Sequence, residues 1–274
     1  MKRFFMQFRL YKYLREKYHL TPFYQIKLKK KLAIRKARLH ERAVKELKIL
    51  DEVFAGGGVV LNGPFKGMKY IHKSSGSALL PKVLGSYEEP IQGWVSEILS
   101  SGYESILDIG CAEGYYAVGF GLRMPKTKVI AYDIDKQARK NCRELAHLNK
   151  VDNVEIKSEC TQAELNIKSK KNSLVFCDIE GYEDVLLDPV KVPNLKNVDL
   201  IVESHDCFVP DMTEKLIKRF SSTHTISINV DYPFRVKEYG LPQKVSEEKF
   251  RVIIDEHRGD PLMKFLFMKA KGTL

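Results

Sequence analysis

The chain has 274 residues, 44% of them hydrophobic, with a formal net charge of +11; that is enough apolar material for a sizeable core. No apolar run reaches the roughly 18 residues of a membrane span, and charges interrupt the N-terminal "MKRFFMQFRLYKYLREKYHL" too often for a secretory signal. The five cysteines (Cys111, Cys142, Cys160, Cys177 and Cys207) are odd in number and form no CxxC pair, which argues against a zinc ribbon or a disulfide framework and for small buried residues in a reducing, cytoplasmic setting.

The first segment, residues 1–55, is a basic, aromatic-rich helical extension. Residues 1–50 hold 16 Lys and Arg against three acids, a net of +13, so residues 51–274 carry −2. The body is nearly neutral and the basicity belongs to the appendage. Phe4, Phe5, Phe8, Tyr11, Tyr13, Tyr18, Phe23 and Tyr24 alternate with cations. That texture suits the anionic inner face of a membrane, an anionic polymer, or a contact between subunits of a homo-oligomer. From Gln25 to Phe54, the residues Leu28, Leu32, Leu39, Ala43, Leu47, Leu50 and Phe54 recur at spacings of three, four or seven. They predict a long helix whose apolar stripe docks on its own domain or on a twin.

Residues 56–103 form a lead-in. "VVLNGPFKGMKYI", with Gly63, Pro64 and Gly67 as turn residues, predicts a β-hairpin, and a helix follows from about Pro90 to near Gly102. From 104 to 274, strands and helices alternate. "SILDIG", "KVIAYDI", "VEIKSE", "SLVFCDI" and "VDLIVES" read as strands, with helices such as "KQARKNCRELAHLN" and "PDMTEKLIKRF" between them. "HTISINV" and "MKFLFMKA" close the domain as an antiparallel pair around a loop with no helix-long apolar stripe. The expected fold is α/β, a doubly wound, mostly parallel, seven-stranded Rossmann-like sheet.

In such a sheet, ligands sit beyond the carboxyl ends of the strands. The first strand runs into "LDIGCAEGYY", a glycine turn opening a helix, which lets backbone approach a ligand and presents free N–H groups; the same residues also suit a bare tight turn. The second strand ends in "AYDID", which puts Asp133 about 20 residues after the glycines, where an acid accepts bonds from ribose hydroxyls. The later ends, "KSECTQAE", "CDIEGYE" and "VESHDCF", add further carboxylates.

The motifs "LDIGCAEGYYA" and "VIAYDID", with the strand order behind them, resemble the class I S-adenosylmethionine-dependent methyltransferases. "DIEGYE" and "VESH" narrow the resemblance to the FkbM family of O-methyltransferases, over roughly residues 60–274. The resemblance implies S-adenosyl-L-methionine as cofactor, met by Asp108, Gly110, Cys111, Gly114, Tyr115, Asp133, Ile134, Glu159, Cys160 and Asp178. Gly110 and Gly114 would leave room for its methionine part, and Asp108 would hold the turn or the amino group. Dinucleotide binding is the rival reading; it prefers GxGxxG, and Tyr115 and Tyr116 leave poor room for a pyrophosphate.

Methyl transfer to oxygen needs a base, and His205 is the one histidine of seven at the carboxyl end of a core strand. Asp178 and Glu180 accompany it as catalytic candidates. Asp178, Glu180 and Glu203 form a candidate Mg²⁺ site, while Glu88, Tyr182, Glu203 and Arg258 are candidate contacts to a sugar, glycan or related hydroxylated acceptor. The alternative function is a nucleic-acid methyltransferase with the basic arm as its binding module; the near-neutral body speaks against it.

Overall fold

The computed structural model describes residues 41–55, 58–232, 237–256 and 262–272. The chain divides into two compact units, Met1–Lys48 and Ile49–Leu274. In the first, residues 41–48 are helical and Arg42 meets Glu46 one turn on, at 3.1 Å. The aromatic arm and most of the expected long stripe lie outside the described residues. In the second unit Ile49, Leu50, Val53 and Phe54 are buried in the same cluster as the lead-in residues Val60, Phe65 and Met68. The division between the two units falls between Lys48 and Ile49, within the expected 1–55 extension.

The sheet has the order β3-β2-β1-β4-β5-β7-β6, from β1 (Ser105–Ile109), β2 (Lys128–Tyr132), β3 (Val154–Lys157), β4 (Ser173–Cys177), β5 (Asp199–Ser204), β6 (His224–Val230) and β7 (Lys264–Ala270). The first five are parallel, with Leu107 opposite Ile130 on one side and Val175 on the other. Their runs are apolar because both faces are covered. Ile106, Val129, Leu174 and Ile201 pack on one side with Val95, Phe120 and Leu145. Leu107, Ile130, Val175 and Leu200 pack on the other with Leu165, Leu195 and Leu216. The chain winds outward from β1 through β2 and β3, then returns to β4, so the switch point lies between β1 and β4.

Several details differ from the sequence expectation. The antiparallel pairing of β6 with β7 is present, but β7 lies inside, between β5 and β6, and pairs antiparallel with both. The loop between them carries a helix, Glu247–Ile254, capped by the Ser246 hydroxyl; its apolar residues are too few to stand out as a stripe. The lead-in hairpin is a single antiparallel bridge, Val59 to Lys69. Its Phe65 seats against the helix Tyr115–Arg123, where a Cβ on Gly119 would lie 2.7 Å from the Phe65 ring. The helix expected from Pro90 begins as a 3-10 turn, Glu89–Ile91, and continues over Gln92–Leu99. Among the described residues no helix is long and apolar enough to cross a membrane. Four cysteines are buried as expected, but Cys207 is exposed.

The glycine turn has a packing cause. Gly110 has φ +89°, and a Cβ there would lie 1.7 Å from the Asp178 carbonyl oxygen at the end of β4. Gly114, at φ +96°, would drive a Cβ to 2.6 Å from the Cys142 sulfur. Both are therefore needed by the chain itself, whatever ligand it takes. Gly110→Ala is expected to cost well beyond the ~1–2 kcal/mol of left-handed strain, because the obstructing atom is backbone. Gly67→Ala, at φ +87° in open space, carries the strain alone. Urea denaturation of the two variants checks this, and equal losses would show that the contact with Asp178 relaxes.

Candidate active site

A cavity of about 820 Å³ lies at the carboxyl ends of the five parallel strands. Its wall includes Asp108, Gly110, Cys111 and Tyr115 from the β1 turn, Asp133 and Ile134 after β2, and Glu159 and Cys160 after β3. Asp178, Glu180 and Tyr182 follow β4, Glu203 and His205 end β5, and Glu88 comes from the lead-in. Nearly every candidate read from the sequence is thus on one surface. Gly114 is not part of the wall, because it faces the Cys142 side of its helix, and Arg258 lies outside the described residues.

At the β1–β2 end, Asp133 accepts the Ala112 N–H at 2.9 Å and the Asp135 N–H at 2.7 Å, one on each carboxylate oxygen. Burial raises its pKa. Asp108 is buried, and its Oδ2 has no hydrogen-bond partner. Burial pushes its pKa up to about 7, opposed by the Ala117 N–H and reinforced by Asp133 and Glu88, with Lys82 pulling it down. A buried acceptor facing a cavity without a partner is a site for a cationic donor.

At the β4–β5 end, His205 Nδ1 lies 2.7 Å from Glu183 Oε1. Both side chains are buried. A carboxylate only accepts, so Nδ1 carries the proton and Nε2 faces the cavity. Nε2 stands 3.4 Å from Asp178 Oδ1 and 3.8 Å from Glu180 Oε2. Burial pulls the His205 pKa down, but the Glu183 hydrogen bond and the charges of Glu203, Glu183 and Glu180 outweigh it, so it is raised overall. Asp178, Glu203 and His205 each offer a donor atom within 4.8 Å of the others. The expected third metal ligand, Glu180, stands apart from that group. It occupies a left-handed turn at φ +55°, which turns its side chain 72% outward.

Several features in and behind the wall escaped sequence reasoning. Glu183 reads as a first-turn acid, yet it orients His205. Tyr116 donates to Glu88 Oε2 at 2.5 Å. Lys82 sits within the wholly buried helix Leu79–Leu84 and pairs with Glu113 at 2.5 Å. A lone charge inside the apolar "ALLPKVLG" was the signal available for Lys82.

Residues 93–182 match the family model described as ribosomal protein L11 methyltransferase (PrmA). The ribosomal protein L11 methyltransferase of Aquifex aeolicus (strain VF5) is 34% identical over 118 residues, covering 42% of this chain and 42% of that protein. The chain thus spans less than half the length of this curated relative. Among solved structures, an rRNA methylase from Streptococcus thermophilus shares 13% identity over 67% of this chain and 98% of its own, with a TM-score of 0.45. The human methyltransferase 10 domain containing protein shares 9% over 84% of this chain and 97% of its own, at 0.46. The fold is the Rossmann-like methyltransferase fold, and the family match with the relative's name supports the class of S-adenosylmethionine-dependent methyltransferases.

Proposed function

We propose that the protein transfers a methyl group from S-adenosylmethionine to an acceptor hydroxyl, with His205 as general base. The observation that carries this is one continuous cavity joining the Asp108–Asp133 edge to the buried Glu183–His205 pair. The wall fits the cofactor. Asp108 offers an unpartnered acceptor to its ammonium, Asp133 offers carboxylate lone pairs to its ribose, and Ile134, Glu159 and Cys160 border the position beyond. When bound, the cofactor supplies both the methyl group and its own leaving group. The chain's part is to align the acceptor oxygen and take its proton on His205 Nε2, while Glu183 holds the ring and Asp178 and Glu203 receive neighbouring hydroxyls.

The motifs "DIEGYE" and "VESH", similar to those of FkbM enzymes, favour a sugar or glycan acceptor. A protein acceptor is the second reading, favoured by the match of residues 93–182 to the L11 methyltransferase family. Nucleic acid fits poorly. Nine carboxylate residues line the cavity against one lysine, a field that repels polyanions. Incubating a cell extract with the protein and methyl-labelled S-adenosylmethionine tests the proposal. Label is expected in glycan. Label in protein selects the second reading, and label in neither removes the activity.

The base reading carries an expectation for metal: with His205 Nε2 as the base, chelator is expected to leave turnover unchanged. A loss that Mg²⁺ restores would place a cation either on the carboxylates Asp178, Glu180 and Glu203 or on the group Asp178, Glu203 and His205, and only the second would remove His205 as base.

A further inference from the structure

We propose that Phe208, with Tyr182 on the same cavity wall, is the platform on which the sugar ring of the acceptor stacks, so that ring shape selects the substrate and sets its hydroxyl at His205. This rests on the methyltransferase reading above and deepens its choice of acceptor.

Among the described residues only two of the phenylalanines, tyrosines and tryptophans are exposed, Phe208 at 58% and Tyr182 at 53%, and both line the cavity. A single exposed ring on a surface is ordinary; two confined to the wall of one cavity mark a place that a ligand covers. Both belong to the acceptor end, Tyr182 in the turn after β4 and Phe208 three residues beyond His205 in the turn after β5.

The turn holds Phe208 in place. The N–H groups of Phe208 and Val209 both donate to the His205 carbonyl at 3.0 Å. Asp206 ties the turn to the next helix, accepting the Thr213 N–H at 3.0 Å and the Thr213 hydroxyl at 2.5 Å. The β4 turn closes against it at Gly181, where φ is +102° and a Cβ would lie 3.0 Å from the Phe208 Cβ. A ring fixed in this way loses little freedom when a ligand settles on it. Its plane is 23° from that of the His205 imidazole, with the centroids 5.7 Å apart.

The polar groups around His205 Nε2 define what must lie on that ring. Asp178 at 3.4 Å, Glu180 at 3.8 Å and Glu203 within 4.8 Å are all carboxylates, which accept and do not donate when ionised. The ligand for this end therefore combines several donors with an apolar face. A pyranose does so: hydroxyls surround its rim, and the C–H bonds of its faces point partial positive charge at the negative face of an aromatic ring. A serine or threonine side chain of a protein has one hydroxyl and no such face. A pyranose flat on Phe208 is also nearly parallel to the imidazole. Its equatorial hydroxyls then leave close to the direction of the Nε2 lone pair, which lies in the imidazole plane.

Saturation-transfer NMR on the protein loaded with S-adenosylhomocysteine tests this. The probes are the methyl pyranosides of glucose, mannose and galactose, with sorbitol as a polyol that has the hydroxyls but no ring face. Irradiation of aromatic protons is expected to reach the ring C–H protons of at least one pyranoside and not those of sorbitol. Phe208→Leu keeps apolar volume without the aromatic face, and is expected to weaken that pyranoside about tenfold. Phe208→Tyr is expected to retain it, with S-adenosylhomocysteine affinity equal in all three proteins. Phe208 is exposed, so neither variant opens the core, and the sorbitol comparison needs no variant. Absence of pyranoside binding, equal binding of sorbitol, or an unweakened Phe208→Leu protein each overturns the proposal. A Phe208→Tyr protein as weak as the leucine variant, or loss of S-adenosylhomocysteine along with the sugar, makes Phe208 a structural prop and also overturns it. Failure of the unmodified protein to bind S-adenosylhomocysteine instead overturns the methyltransferase reading.

Discussion

His205→Ala is expected to lower turnover by roughly 10²–10⁴-fold, the usual effect of removing a general base, with S-adenosylhomocysteine affinity nearly unchanged. The ring lies at the acceptor end of the cavity, away from the Asp108–Asp133 edge, so its loss touches chemistry and spares cofactor binding. The sign of the pH dependence follows from its raised pKa. Below that pKa the ring is protonated and takes no proton from an acceptor. The wild-type rate should therefore rise with pH through a midpoint above 6.5, the ordinary histidine value. Glu183→Gln replaces the carboxylate whose hydrogen bond chiefly raises that pKa, so the midpoint should move down. Steady-state kinetics of the three proteins between pH 6 and 9 check this. Normal turnover of His205→Ala across that range would remove the residue from the mechanism.

Asp133→Ala is expected to weaken S-adenosylhomocysteine by about 1.5–3 kcal/mol, the range for hydrogen bonds to a charged group. Each carboxylate oxygen already accepts one backbone N–H, from Ala112 and from Asp135. These bonds aim the group and leave lone pairs for a ribose diol. They also hold Ala112 in a left-handed conformation, φ +49°, so the alanine variant loosens the turn as well. Asp133→Asn retains the shape and one carbonyl acceptor but turns the other position into a donor. Affinity lost in both, with a melting temperature preserved in the asparagine variant, assigns the effect to the ligand. Calorimetry showing unchanged affinity in a folded variant would move the ribose site elsewhere.

Much of the architecture was legible along the chain. A strand covered on both faces must carry an apolar run rather than an alternation, so "SILDI", "SLVFC" and "DLIVES" identify themselves by their central residues. A glycine between strand and helix signals a positive φ, and Gly110 has one. Acids at or just beyond the carboxyl ends of parallel strands must share one edge, which is why Asp108, Asp133, Asp178 and Glu203 line a single cavity. Other features had no local pattern. The helix Glu247–Ile254 buries Ile253 as its one core residue, too little for a period to show. β7 sits inside β6 because sheet position depends on which edge the returning chain reaches, and hydropathy does not record that.

By itself, then, the sequence determined the sheet, its direction and the row of carboxylates along its edge, because strand periodicity and chain order dictate them. Only the tertiary structure decided which polar groups meet. Glu183 and His205 are 22 residues apart, and Lys82 and Glu113 are 31 apart. Each member alone reads as an ordinary helix or loop residue. Their pairing arises because burial leaves a charged group no water, so it must find its partner among whatever side chains the fold brings into reach.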